Sequence, residues 1–317
     1  MDIHTNANVK LLLSPRQSRG ITYWIYMSMQ LSNRTSNHRP SLNVLGCGRV
    51  GQTLSRLWHV NQTFLIQDVM TSSLGSAQAA CRVIGAGQAA GSLQDLRPAD
   101  IWMLAVPDAQ LDTCVTALTA QASQEPKLLT SAPVIFHCSG AQSARILAPL
   151  VTLGCRTASA HCILSFATVA SALTQFSGTP CALEGDAMAC AVLRPAFSAI
   201  GAHCFDVASD DKLLYHAAAV FATNFLPILQ SVAEDLWQST GVPASLIPDL
   251  RQSLLRNAVA NISTLGPQAA LSGPTARGDT QAIARQAAAL HAWDPKVGAA
   301  YAALSELGLR LARRSNG

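Results

Sequence analysis

Leu42-Asn43-Val44-Leu45-Gly46-Cys47-Gly48-Arg49-Val50-Gly51 runs from a short apolar segment through three glycines spaced G-x-G-x-x-G into Gln52–His59, which carries a helical pattern. A buried strand, a tight turn and a helix start in that order are the context in which this spacing reads as a dinucleotide site. Gly46 permits the turn, Gly48 lets backbone approach a pyrophosphate with no Cβ in the way, and Gly51 lets helix and strand pack closely. Cys47, Arg49 and Val50 complete the loop, whose N–H groups and helix dipole would face the phosphates.

Outward from this stretch, strands and helices alternate. Thr63–Val69 reads as a second strand, followed by a helix around Ser76–Ile84 and a Gly/Ala-rich turn. Asp100–Val106, Val134–Cys138 and Cys155–His161 read as further strands, with a helix at Gln110–Ala122. Cys181–Glu184 and His203–Val207, around the helix Asp186–Ile200, extend the series. Such alternation predicts right-handed crossovers and a doubly wound, mostly parallel α/β sheet. Beyond about Val207 the pattern becomes all-helical: Asp211–Trp237, Pro243–Leu265, Thr280–Ala292 and Pro295–Arg314, separated by Gly/Pro punctuation. The predicted domains are therefore 42–208, a dinucleotide-binding unit, and 209–317, an all-α unit.

Composition narrows the class. Of 317 residues, 49% are hydrophobic and 13% charged, which excludes a disordered chain. Residues 1–41 carry five basic side chains against one acid, the whole net charge of +4, leaving 17 basic against 17 acidic residues in the remainder. The folded body thus has no basic excess for nucleic acid. That first segment, rich in Asn, Ser, Thr and Arg, reads as a disordered or over-extended start, with a transit segment as the alternative. Its apolar pieces are too short to span a membrane. Nine cysteines with no C-x-x-C pair read as free, buried thiols in a reducing, cytoplasmic setting. No metal set has working spacing.

Several residues could carry chemistry. Asp68 stands 22 residues beyond Gly46, where an acid takes the ribose hydroxyls of NAD. Should the strand run through Met70, Asp68 lies inside the sheet and Thr71, Ser72 and Ser73 become the readers of a ribose 2′-phosphate; one of these serines capping the next helix is the bland alternative. The reading leans to NADP, with NAD in reserve. Val106-Pro107 and Ser139-Gly140 end strands at the carboxyl edge and would border the cofactor. Ser139 lacks a nucleophile elbow. His161 ends a later strand, placing it toward substrate or, more blandly, in a structural role. In the apolar run after Leu213, the polar groups Tyr215, His216, Thr223 and Asn224 need a reason. Lys212 and His216 share a helix face, Asn224 is rotated about 80° from His216, and Pro227 should kink the helix beside Asn224. Arg277 could hold an anionic substrate, pair with Asp279 or tie helix ends together.

Together these segments resemble the Rossmann-like NADP oxidoreductases whose amino-terminal domain joins an uncharacterised all-helical domain. They are relatives of pyrroline-5-carboxylate reductase, ketopantoate reductase and the 6-phosphogluconate and 3-hydroxyisobutyrate dehydrogenases. The specific pieces are Lys212-Leu-Leu-Tyr215-His216-Ala-Ala-Ala-Val220…Asn224 and Gly273-Pro274-Thr-Ala-Arg277-Gly278-Asp279. The resemblance implies a homodimer through the helical domain and catalytic roles for Lys212 and Asn224. Two positions depart from it: Cys162 follows His161 where relatives have proline, and Ser72 stands where an NADP-reading arginine is common. The expected activity is hydride transfer between NADP(H) and a small carbonyl, imine or hydroxyl compound in the inter-domain cleft, with Lys212 or His216 handling the proton. A non-catalytic dinucleotide sensor is the alternative, and a scaffold with a vestigial nucleotide pocket the third reading.

Overall fold

The structure, a computed structural model, describes residues 39–314. The reading of residues 1–41 therefore lies, up to residue 38, outside the described residues. The chain divides into two compact units at Val220/Phe221.

The first unit is built on one eight-stranded sheet: β1 Ser41–Leu45, β2 Leu65–Met70, β3 Gln88–Ala90, β4 Ile101–Leu104, β5 Val134–His137, β6 Arg156–Cys162, β7 Pro180–Gly185 and β8 His203–Asp206. Their order is β3-β2-β1-β4-β5-β6-β7-β8, with β6–β7 the antiparallel step. All strands from β1 to β6 run parallel, so their carboxyl ends share one edge. The order reverses between β1 and β4, the crevice where open sheets of this kind take ligands.

Strands buried on both faces explain the near-continuous apolar runs. Ile101, Met103, Val134 and Phe136 enter one core layer with Leu54, Trp58 and Phe197 of the covering helices. Trp102, Leu104 and Ile135 enter the other with Leu111, Val115 and Leu147. Trp58 stands edge-on to Phe64, Phe136 and Phe197, and its indole N–H donates to the Ala196 carbonyl at 2.9 Å.

Three elements differ from expectation. The Gly/Ala-rich turn contains β3, whose Gln88-Ala89-Ala90 has no β-branched or aromatic residue and is held by pairing with Asp68–Met70. A helix, Val169–Gln175, starts at a Thr168/Ser171 capping box. The segment Gly273–Arg277, expected as loop, forms one helical turn that Pro274 opens and Gly278 closes at φ 67°.

The second unit is helical. Its principal helices are Phe225–Ser239, Ile247–Ala269, Thr280–Trp293 and Pro295–Arg313. The expected disturbance around Pro227 takes the form of a π-helical segment, Val220–Asn224, between helices Lys212–Ala219 and Phe225–Ser239. Pro227 cannot donate to the Thr223 carbonyl, and a wider turn is how a helix rearranges its ladder there. The 80° offset reckoned for an ideal helix does not carry across it. Ser209–Ser239 has the length and mean hydropathy (1.3) of a membrane-crossing helix, and Leu213 and Leu214 are 70% and 76% exposed.

Candidate active site

The glycine turn forms as the spacing requires. Gly46 sits at φ +73°, and its N–H donates to Met70 O at 2.8 Å. A Cβ there would lie 2.5 Å from Val106 Cγ1 and 2.8 Å from Val106 N, so the loops after β1 and β4 meet on a glycine. Gly51 is packed almost as tightly, 3.0 Å from Gly46 O. Gly48 differs: a Cβ on it would meet nothing within 4 Å. It is the N-cap of helix Arg49–Val60, and no side chain caps that helix. The turn therefore leaves open space before unpartnered helix N–H groups, a cradle that fits a pyrophosphate. Cys47 lies buried inside the turn, where burial pushes its thiol up to about 12 and keeps it from acting as a nucleophile.

β2 does run through Met70, and Asp68 is 1% exposed. Its carboxylate accepts the Arg97 N–H at 2.8 Å and the Arg97 guanidinium at 2.6 Å. That commitment removes Asp68 from any ribose. Thr71 donates to Ser73 O at 2.9 Å, and Ser73 caps helix Leu74–Ile84 by accepting from Ser76 N at 3.2 Å. The capping role is thus filled by Ser73, while Ser72 stays exposed beside it.

A second group of side chains gathers at the carboxyl ends of β5 and β6. Lys212, at the start of its helix, is 1% exposed. Its Nζ donates to Ser139 O at 3.0 Å and to Ser159 Oγ at 2.7 Å. No carboxylate pairs with it among the described residues, and burial pulls its pKa below the ordinary lysine value. Ser139 Oγ donates to Asp108 Oδ2 at 2.7 Å and accepts the Gln142 N–H. Glu184 is likewise engaged, accepting from Ala144 N and from Ser209 Oγ. His161 Nδ1 lies 2.9 Å from the Tyr215 hydroxyl, and the His161 and His216 rings stand edge to face at 5.5 Å. Gly140 makes this convergence possible: a Cβ there would come within 2.3 Å of His216 Nδ1 and 2.8 Å of His161 Nε2.

Burial, reinforced by Lys212 and His216, pulls His161 down to about 4, so it is a neutral imidazole at pH 7. Burial raises the Tyr215 phenol above its ordinary value and lifts the Cys138 thiol to about 12. His161, Tyr215 and Cys138 are therefore neutral groups beside the Lys212 amine. His216 Nδ1 is buried without a partner.

Under β5's end, fully buried His137 accepts the Ser139 N–H on Nδ1 at 3.2 Å, and its Nε2 is unpartnered. Burial holds it down to about 4 against an ordinary 6.5. The unfolded chain binds that proton first, so stability is lost as pH falls from about 6.5 to about 4. His137 alone is expected to cost roughly 2.5 kcal/mol at pH 4.5 relative to pH 7.5. Urea unfolding at both pH values should show the loss, and His137→Asn, which keeps an acceptor at the Nδ1 position, should remove His137's share of it and leave that of His161, likewise held down to about 4. An acid sensitivity unchanged in that variant would assign it to other groups.

The structure thus brings Lys212, His216, His161, Ser139 and Gly140 into one cluster, all in the first unit. Asn224 and Arg277 belong to the second. Asn224 Oδ1 accepts from Thr223 Oγ1 at 2.8 Å. Arg277 is exposed and joins no ion pair among the described residues, while Asp279 caps the following helix through Ala282 N. The sequence reading passed over Asp108 and Ser159, and gave Tyr215 no role. A lone Ser inside a strand and an acid after Pro107 carry no pattern, whereas Tyr215 beside His216 in an apolar helix does carry a signal.

Comparison with known proteins agrees with this architecture. A Rossmann-like domain matches residues 28–162, and a domain of unknown function (DUF2520) matches residues 179–307, taking in β7 and β8. Curated proteins give no match. Among solved structures, protein TM1727 from Thermotoga maritima has a TM-score of 0.67 at 23% identity, covering 87% of this chain and 100% of that one. An imine reductase from Myxococcus stipitatus, in complex with NADP+, gives 0.58 at 16%, covering 87% of this chain and 95% of that one. A 1-pyrroline-5-carboxylate reductase from Streptococcus pyogenes gives 0.55 at 17%, covering 86% and 99%. At these identities the likeness shows the fold alone, a Rossmann-like sheet followed by helices.

Proposed function

From a chain that joins a Rossmann-like domain to a DUF2520 domain, we propose an NADP-dependent oxidoreductase acting on a small carbonyl, imine or hydroxyl compound. The observation that carries this reading is one of placement. The glycine cradle and the Lys212–His161–His216 cluster lie at the carboxyl edge of the same parallel sheet, separated by β4 and its loop. Gly46, Cys47, Gly48, Arg49, Val50 and Gly51 would hold the pyrophosphate, and Val106, Pro107, Ser139 and Gly140 would border the nicotinamide side. With Asp68 committed to Arg97 and Ser73 capping the next helix, a 2′-phosphate is left to exposed Ser72, with Thr71 and Ser73 beside it, a reading that leans to NADP over NAD. When bound, the reduced nicotinamide supplies a hydride.

The chain's own part is to orient the substrate and move a proton. Lys212 or His216 delivers it in reduction and accepts it in oxidation, and His161 contacts the substrate. Asn224 and Arg277 are assigned orientation of the substrate and capture of its carboxylate. We assign the exposed apolar side chains Leu254, Val259, Ile262 and Leu265 of the helical unit to a homodimer. The nine free thiols support a reducing, cytoplasmic setting.

The test is titration with NADPH and NADP+ followed by melting temperature, then incubation with NADPH and a panel of keto acids, aldehydes and imines. Decay of the reduced-nicotinamide absorbance with a panel member is the expected result. Tight binding with no turnover on any member would select a dinucleotide sensor instead, and no binding at all a vestigial pocket.

A further inference from the structure

We infer that Tyr215 is a positioning residue that fixes His161 as the Nε2–H tautomer, and that the resulting neutral donor suits the oxygen of a carbonyl substrate rather than the nitrogen of an imine. The inference rests on the oxidoreductase reading above and narrows its substrate class.

His161 Nδ1, at 2.9 Å, is the partner the structure gives the Tyr215 hydroxyl. A phenol has one proton to donate, and a neutral imidazole has one nitrogen to accept it. Tyr215 O–H on Nδ1 pairs both groups and leaves the imidazole proton on Nε2, the atom facing the Gly140 backbone. The reverse arrangement, Nδ1–H on the phenol oxygen, would leave the hydroxyl proton of a half-buried tyrosine to find another acceptor. Lys212 Nζ lies 5.8 Å from the Tyr215 ring centroid and the Phe205 ring stands edge-on to it at 6.1 Å, which limits its swing.

The surrounding charges select the substrate. Imine reduction passes through a protonated C=N, a cation that needs an acceptor or an anion beside it. The carboxylates near the cluster, Asp108 and Glu184, accept from Ser139 Oγ, Ala144 N and Ser209 Oγ, groups at the back of the strand ends, and form no ion pair with Lys212. Beside His161 and its Nε2–H stands the Lys212 ammonium, and two such donors stabilise developing negative charge on oxygen. In the reaction so assigned, the reduced nicotinamide, when bound, would supply the hydride that the carbonyl carbon gains, and the C=O π pair would move to oxygen. That oxygen takes a proton from the Lys212 ammonium, giving an alcohol and a neutral amine that solvent reprotonates.

The experiment compares the full chain with Tyr215→Phe, which removes only the hydroxyl. Nitrogen and ring-proton NMR of His161 should show neutral Nε2–H in the parent, protonating only near pH 4, with Lys212, His216, His137 and Asp108 the charged and titratable groups around it. In Tyr215→Phe the two tautomers should mix, and turnover of carbonyl substrates should fall about tenfold or more, while the NADPH-induced rise in melting temperature is kept. An Nδ1–H tautomer in the parent, or the same tautomer in both proteins, overturns the role of Tyr215. Faster turnover of cyclic imines than of aldehydes and keto acids overturns the substrate class. Loss of NADPH binding in the parent would instead sink the oxidoreductase reading, and the NMR comparison stands apart from that result.

Discussion

Gly48→Ala is expected to lower NADPH affinity by about 100-fold or more, roughly 2.7 kcal/mol, with the melting temperature of the free protein nearly unchanged. The prediction turns on a contrast between two glycines in one turn. At Gly46 a methyl group would strike the backbone of Val106, and φ +73° is costly for any other residue, so substitution there damages the fold and binding together. At Gly48 the methyl group would project into open space, at φ −73° and ψ −157°, an extended conformation open to alanine. Alanine is a poorer N-cap than glycine, yet it loses less entropy on folding, and the two effects of up to about 1 kcal/mol offset each other. What the methyl group does obstruct is the path by which phosphate oxygens reach the helix N–H groups. Melting curves with and without NADPH separate the two outcomes. A Gly48→Ala protein that binds as tightly as its parent would show that the dinucleotide does not lie on this turn.

The same contrast explains what could be read from residues alone. Leu42–Gly51 was legible because strand, turn and helix are each dictated locally, by an apolar run, by glycines and by periodicity. The parallel strands were legible for a related reason: segments such as Ile101–Leu104 are buried on both faces and therefore apolar throughout. β3 was not legible, since Gln88-Ala89-Ala90 becomes a strand only through its partner Asp68–Met70. For the cofactor, the sequence could pose only a conditional question. Asp68 was a ribose reader or an interior residue depending on how far β2 ran, and Arg97, 29 positions away, was needed to decide it. The cluster around Lys212 shows the same limit. Its lysine and histidine could be named from a polar interruption in an apolar helix. Ser139, Ser159 and Asp108 could not be attached to them, because those contacts span 31 to 73 positions and exist only where β5 and β6 end side by side.

Lys212→Met should reduce turnover by ~10²–10⁴-fold while leaving NADPH binding intact. The structure presents this lysine in two lights. As a strut, it ties Ser139 O to Ser159 Oγ and so joins the ends of β5 and β6. As a chemical group, it is an amine held out of water with no carboxylate paired to it, an expensive arrangement if packing were its whole purpose. Methionine separates the two roles because it keeps the length and apolar bulk while deleting the charge and the donors. Ser159 Oγ still has Ser139 O as an acceptor, at 3.4 Å, so the strand ends remain joined in the variant. A strut alone would then leave the rate close to that of the parent, and that result would remove Lys212 from the chemistry. The pH profile provides a second discrimination. Burial lowers the lysine pKa below 10.5, so the ammonium that donates in reduction is lost at a lower pH than for an exposed lysine. Carbonyl reduction should therefore decline as pH rises through that lowered value, and alcohol oxidation, which needs the free amine, should rise over the same interval. Both limbs should vanish in Lys212→Met, leaving a low rate that no longer responds to this group.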